Sequence, residues 1–357
     1  MKNNNIIGNN LKRIRLLKQL SLRDAGQLLN MSATGISKFE KGELIPDSKK
    51  LIQFANAYKV KTIDLLKTYS FPTMKFTSFR KNKNLCGSKL DLLKEMIQIE
   101  VAKYLEVLEL NNVEKKKIKI NKYICNNIED AELAANKFRK YIEISEIIPV
   151  SDLINILENI GIIVILLKNT NNRFNGFDGF SEIVDGYPII VLLDDIKDGA
   201  RQRFTIVHEL GHLILNCNNS DIDEEKLCNR FSSSLLMPKK AIINEFGEKR
   251  GNISFYELLT FKNEYKVSYT ATLYRLKDLN VISEPLYRKL NSQLSKNKNE
   301  LNPILPEQTY QFKKIVHKLK SDNIITISKA CDLLGVNEYE YMREDNNYWY
   351  KYYYRLK

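Results

Sequence analysis

Three residues at fixed spacing carry the most specific chemistry in the sequence. They are His208, Glu209 and His212, within Arg201-Gln202-Arg203-Phe204-Thr205-Ile206-Val207-His208-Glu209-Leu210-Gly211-His212-Leu213-Ile214-Leu215. On a helix, residues four apart share a face, so His208 and His212 can offer both imidazoles to one metal ion. Glu209 lies close to such an ion but is unsuited to bind it alongside both histidines. That is where a base must sit to take a proton from a water that the ion activates. Ile206, Val207, Leu210, Leu213, Ile214 and Leu215 bury the helix and supply the low-dielectric surround such a site needs. Of three histidines in the chain, two occupy this pattern.

A catalytic zinc ion needs a third protein ligand and one open position. A third histidine six residues after the second is excluded, because position 218 is Asn. The candidates are therefore the carboxylates downstream: Asp221, Asp223, Glu224 and Glu225. Glu225 fits best. It opens a helix whose apolar face is Leu227, Phe231, Leu235 and Leu236, and it shares a face with Asn229, which can orient a neighbouring ligand. Met237-Pro238 ends that helix.

The elements around this helix read as follows. From Glu129 a helix runs through Ala131, Ala134, Ala135 and Phe138, and Pro149-Val150 breaks the chain before a helix capped by Ser151 and closed by Gly161. Ile162 to Leu167 and Pro188 to Leu193 read as buried strands, with turns at Asn175-Gly176 and Asp178-Gly179 between them. Residues 200–290 are mainly helical. The spacing thus predicts a mainly α fold with a small β-sheet, an α+β arrangement.

The chain has 357 residues and a net charge of +13. Residues 1–80 hold fifteen Lys and Arg against five Asp and Glu, so most of the excess sits in one N-terminal module. Such a module suits a polyanion, because neutralising phosphates releases condensed counterions. Residues 9–67 read as short helices. Leu11, Ile14, Leu16 and Leu17 face one side of the first; Ser21 caps a second, and Ser32 caps a third over Ala33 to Lys41, with Ile36 and Phe39 inward. A fourth follows from Ser48 to Tyr58. This order is that of a helix-turn-helix.

No run of eighteen apolar residues is present, so no membrane partner is expected. The N-terminus lacks a secretory signal, and five cysteines without close pairing argue against a disulfide framework. A cytoplasmic location is expected. The predicted organisation is residues 1–68 as the helix-turn-helix domain, 69–128 as a linker and helical connector, 129–292 as the metal-binding domain, and 293–357 as a helical, Tyr-rich region. That last region holds an amphipathic unit, Ile327 to Val336, then seven tyrosines and the only tryptophan between Tyr339 and Tyr354.

RQRFTIVHELGH followed by EKLCNRFSSSLLMP resembles the ImmA/IrrE family of metallopeptidases, over roughly residues 130–290, which also include VSYTATLYRLKDLNVI. The resemblance implies a zincin-like domain with Zn2+ held by His208, His212 and Glu225, and Glu209 as the catalytic base. Cys228 stands where the family usually has Ala. The basic module is similar to the Xre/Cro-type DNA-binding domain, with ISKFEKGELIP its most specific part. That resemblance places Ala33, Thr34, Ser37 and Lys38 toward double-stranded DNA, and Arg13, Arg15 and Lys41 on phosphates. Leu22 replaces the family's usual phosphate-binding Gln, and Ala25-Gly26 its usual Leu-Ala.

Together these expectations describe a DNA-associated zinc metalloendopeptidase that regulates transcription by cleaving a protein substrate, an Xre-type repressor. A homodimer is compatible with them. The competing expectation is a non-enzymatic Xre-family regulator that uses its peptidase-like domain as a sensor or dimerisation platform.

Overall fold

The computed structural model describes residues 2–66, 71–76, 87–112, 122–169, 173–218, 222–296 and 303–343. Asp221, most of the basic run 114–122 and most of the Tyr-rich tail lie outside the described residues. The chain divides into two compact units, described separately below. Unit 1 holds Met1–Met74, Lys81–Ala102 and Asn169–Phe177; unit 2 holds Lys75–Arg80, Lys103–Lys168 and Asp178–Lys357. The described residues 303–343 fall within unit 2.

Unit 1 contains α1 (Lys2–Leu17), α2 (Leu22–Leu29), α3 (Ala33–Glu40), α4 (Ser48–Tyr58) and α5 (Thr62–Leu66), with the first part of α6 (Ser88–Leu110). Side-chain caps start three of these helices. Ser21 and Asp24 form a capping box on α2, Ser32 accepts from the Gly35 N–H, and Asp47 accepts from the Lys50 N–H. Leu11, Ala25, Ile36, Phe39, Phe54, Ala55, Tyr58 and Leu65 form the core. Phe39 and Phe54 meet edge to face, with centroids 5.5 Å apart.

Unit 2 contains β1 (Tyr123–Cys125), α7 (Asp130–Tyr141), α8 (Leu153–Asn159), β2 (Ile163–Leu167), β3 (Phe180–Val184), β4 (Tyr187–Leu193), α9 (Gly199–Ile214), β5 (Leu215–Cys217) and α10 (Glu224–Leu236). After these come α11 (Lys239–Phe246), α12 (Phe255–Tyr265), α13 (Tyr269–Asp278), α14 (Glu284–Lys296), α15 (Gln311–Ser321) and α16 (Ile327–Leu334). One sheet has the order β2-β4-β3, with β2 parallel and β3 antiparallel to β4; β1 and β5 form a separate parallel pair. Asp152, rather than Ser151, caps α8 by accepting from the Asn155 N–H. Among the described residues, no helix is long and apolar enough to cross a membrane.

The segment before α15 ties itself to the start of α9. The Gly199 N–H donates to the Ile304 carbonyl at 2.9 Å, and Gln202 exchanges two hydrogen bonds with the Glu307 backbone, at 2.7 and 3.0 Å. Arg203 is buried and paired with the Glu307 carboxylate, which also accepts from the Ile154 N–H at 2.8 Å. Glu307→Ala leaves the Arg203 charge buried without its acid. We expect a loss of about 3 kcal/mol in urea denaturation of the full chain.

Glu158 on α8 is buried, and its carboxyl is pushed up to about 7 by burial, against the Gln311 and Tyr310 backbone N–H groups that favour its anion. In the unfolded chain this carboxyl gives up its proton at a lower pH. Folding stability from this group is therefore fully present at acidic pH and falls as pH rises toward about 7. Glu158→Gln should flatten that part of the stability profile. An unchanged slope in denaturation series between about pH 5 and 8 contradicts this assignment.

Candidate metal centre

Helix α9 begins at Asp198, whose carboxylate accepts from the Ala200 N–H at 2.9 Å and the Arg201 N–H at 3.4 Å. It packs against β3 and β4 with Ile206, Val207, Leu210 and Ile214 completely buried. Burial on this scale supplies a rigid base for the polar side chains, each apolar side chain contributing about 2 kcal/mol. α10 begins at Asp223, whose carboxylate accepts from the Glu225 N–H at 3.0 Å. Asp223 therefore serves as a cap.

Their spacing on α9 sets His208 and His212 side by side, with Nε2 atoms 3.2 Å apart. Glu225 faces the same point: its Oε2 is 3.8 Å from His208 Nε2 and its Oε1 is 3.5 Å from His212 Nε2. The Nδ1 atoms point away from it. His208 Nδ1–H donates to Asn229 Oδ1 at 2.8 Å, and His212 Nδ1–H donates to Glu224 Oε1 at 3.0 Å. These bonds select the tautomer that leaves both Nε2 lone pairs directed at the shared point. Glu224 was expected to be a solvated acid; the structure makes it the partner of His212. Its place in the first turn of α10, beside Glu225, is the only sequence signal for that role.

Glu209 is 1% exposed, and Ser181 Oγ on β3 donates to its Oε2 at 2.7 Å. Gly179 lies just before β3, where a β-carbon would come within 2.8 Å of Glu209 Cγ. Sequence reasoning took Asp178-Gly179 only as a turn and did not find Ser181. Cys228 Sγ lies 3.6 Å from His212 Nδ1, so His208, His212 and Cys228 also group donor atoms within 4.8 Å. This contact is on the side of the His212 ring away from the paired Nε2 atoms.

In unit 1, Thr34, Lys38 and Lys41 are exposed on one face of α3 and its C-cap, with Ala33 and Ser37 half-buried beside them. Arg15 is corrected: it is buried, its Nε and Nη2 donating to Glu40 at 2.5 and 2.8 Å and its Nη1 to the Leu20 carbonyl at 2.8 Å. A guanidinium so occupied holds the core together and does not reach phosphate. Arg13, expected on a phosphate, is half-buried. It donates to Glu95 and Asn10 and lies 3.8 Å over the Phe71 ring.

Arg15→Met strands Glu40 in the core. We expect a loss of about 3 kcal/mol of stability. Thr34→Ala, on the exposed face, should stay within about 0.5 kcal/mol. Circular dichroism during chemical denaturation separates the two outcomes.

Residues 157–277 match the IrrE N-terminal-like domain, a peptidase family, and residues 11–65 match a helix-turn-helix family. No curated protein matches the chain. The first match contains the paired histidines, Glu209, Glu225 and Ser181; the second contains the capped helices α2 and α3. The chain thus joins a helix-turn-helix domain to a peptidase-like domain of the IrrE N-terminal type.

Proposed function

We propose that this chain is a zinc-dependent metalloendopeptidase that regulates transcription by site-specific cleavage of a repressor protein of the Xre type. The observation that carries the reading is the convergence of the two imidazole Nε2 atoms, 3.2 Å apart, with both Glu225 oxygens turned toward them. Two neutral nitrogens and one carboxylate are a donor set that suits zinc and leaves an open position. His208, His212 and Glu225 hold the ion in this reading, while Asn229 and Glu224 fix the two rings. When bound, zinc supplies Lewis acidity to water and to the scissile carbonyl.

The rest is done by side chains of this chain. Glu209 takes a proton from the attacking water and passes it to the leaving amine. Its buried carboxylate is held in place by Ser181, so its position is set before a substrate arrives. A pure sensor or dimerisation platform has no use for a carboxylate held this way, which favours the enzymatic reading. The helix-turn-helix domain supports a DNA-bound setting, with Thr34, Ser37, Lys38 and Lys41 toward double-stranded DNA.

Glu209→Gln is expected to retain one zinc per chain by native mass spectrometry while lowering the cleavage rate about 10²–10⁴-fold. Co-expression with candidate Xre-type repressors, followed by fragment mapping, provides the substrate. Undiminished cleavage by the Gln variant would sink the proposal. Gly179→Ala drives a methyl group into Glu209; the expected result is full zinc occupancy with impaired turnover.

A further inference from the structure

Residues 311–343 lie outside both family matches and repeat the local geometry of the N-terminal helix-turn-helix step by step. In unit 1, Ser21 caps α2, which runs eight residues to Leu29. Asn30 is left-handed (φ 51°), Met31 follows, and Ser32 starts α3 by accepting from the Gly35 N–H at 3.0 Å. In unit 2, Thr326 caps α16, which runs eight residues to Leu334. Gly335 is left-handed (φ 65°), Val336 follows, and Asn337 accepts from the Glu340 N–H at 2.8 Å, opening a helix described over 338–343.

The packing corresponds as well. Ala25 and Ala330 are completely buried at the same position of the first helix, and Ile36 and Tyr341 are buried at the same position of the second. α15 precedes α16 as α1 precedes α2, and Val316, Leu319, Ala330, Cys331, Leu333 and Tyr341 share one core with Val107 of α6. The corner between α12 and α13 is different: its first helix has eleven residues, and Phe261 stands where the alanine would be.

The exposed helices of the two copies differ in chemistry. At the positions of Ala33, Thr34, Ser37 and Lys38 the C-terminal copy carries Glu338, Tyr339, Met342 and Arg343. Glu338 is exposed in the first turn, where a DNA phosphate would have to sit, and it repels one. Tyr339 is 75% and Met342 50% exposed, residue types that protein interfaces favour. A complementary face exists on unit 1. Exposed Lys38 and Lys41, the latter 4.0 Å from Glu43, adjoin Leu44 and Ile45, which are 45% and 61% exposed, so base and apolar surface there answer Glu338, Tyr339 and Met342 here, with Arg343 facing Glu43.

We propose that residues 311–343 are a second helix-turn-helix unit built for protein docking, and that its occupant is the Lys38–Lys41–Ile45 face of a second copy of this chain. The contact is head to tail, and it takes up the α3 surface that DNA would need. Self-association and DNA binding therefore exclude one another.

The test is sedimentation velocity of the full chain at low ionic strength, over a concentration series. We expect reversible association that Glu338→Lys weakens at least about tenfold. Tyr339→Ala weakens it as well, and pairing Glu338→Lys with Lys41→Glu restores it. Saturating duplex DNA should return the chain to monomer. A chain that is monomeric at every concentration overturns the proposal, and so does association indifferent to Glu338→Lys. Association that persists in saturating duplex places the partner face elsewhere and overturns the choice of α3. If Arg343→Ala lowers duplex affinity in a chain that never associates, the unit is a DNA reader instead.

Discussion

A β-carbon on Gly211 would sit 3.1 Å from Cys228 Sγ and 3.3 Å from its Cα, so α9 and α10 touch there almost backbone to side chain. That approach governs the metal centre. Only because the helices are this close can Asn229 reach His208 and Glu224 reach His212, both from α10. A side chain at 211 would press on Cys228, on the same helix that carries Glu225, and could be seated only if α10 gave way by a few tenths of an ångström. The spacing within α9 makes the two histidines neighbours; the missing side chain at 211 makes them a site.

Close helices must also be held from behind, and buried charge does this. Arg275, fully buried, donates from Nε to the Met237 carbonyl at the end of α10 and pairs with Glu132 of α7 at 2.5 Å. Arg230 of α10 pairs with Glu132 and with Asp278. Burial alone would push the Glu132 carboxyl up, but the hydrogen bonds and charges of Arg275 and Arg230 outweigh it and hold the group below the usual carboxylate range. Arg139 donates to the carbonyls of Leu235, Ser145 and Ile148. Desolvating such groups is expensive, and these bonds offset part of the cost, with Nε of Arg139 and of Arg230 left without a hydrogen-bond partner. The clamps therefore tolerate one arrangement of α7, α10 and α13 and penalise its neighbours.

What was legible in the sequence was periodic or capped. The paired histidines, the apolar face of α9, Ser21, Ser32 and the strands β2 and β4 all announce themselves within a few residues. Contacts between distant segments do not. Arg15 reads as one more base in a basic module, yet Glu40, far along the chain, takes it into the core. Ser181 reads as an unremarkable loop residue because β3 alternates weakly. The Asp185-Gly186 turn that pairs β3 with β4, both residues at positive φ, is a two-residue signal between strands of five and seven residues. β1 and β5 are three residues each, too short for any periodicity to show. The resemblance of 311–343 to the N-terminal module was hidden for another reason. It lies in caps and a left-handed corner rather than in shared residue types.

Cys228 brings a further metal-binding atom to the paired histidines. Direction decides its part. A thiol can join the two histidines in binding only if it reaches the point toward which their Nε2 atoms converge, whereas Sγ approaches His212 Nδ1, across the ring from that point. That nitrogen carries the proton given to Glu224, so a sulfur beside it is a second, weaker acceptor. The Asn229 bond to His208 and the close approach of α10 to Gly211 set Cys228 on that side of the ring. The same packing turns the Glu225 carboxylate toward the paired Nε2 atoms and sets the Cys228 sulfur against Gly211.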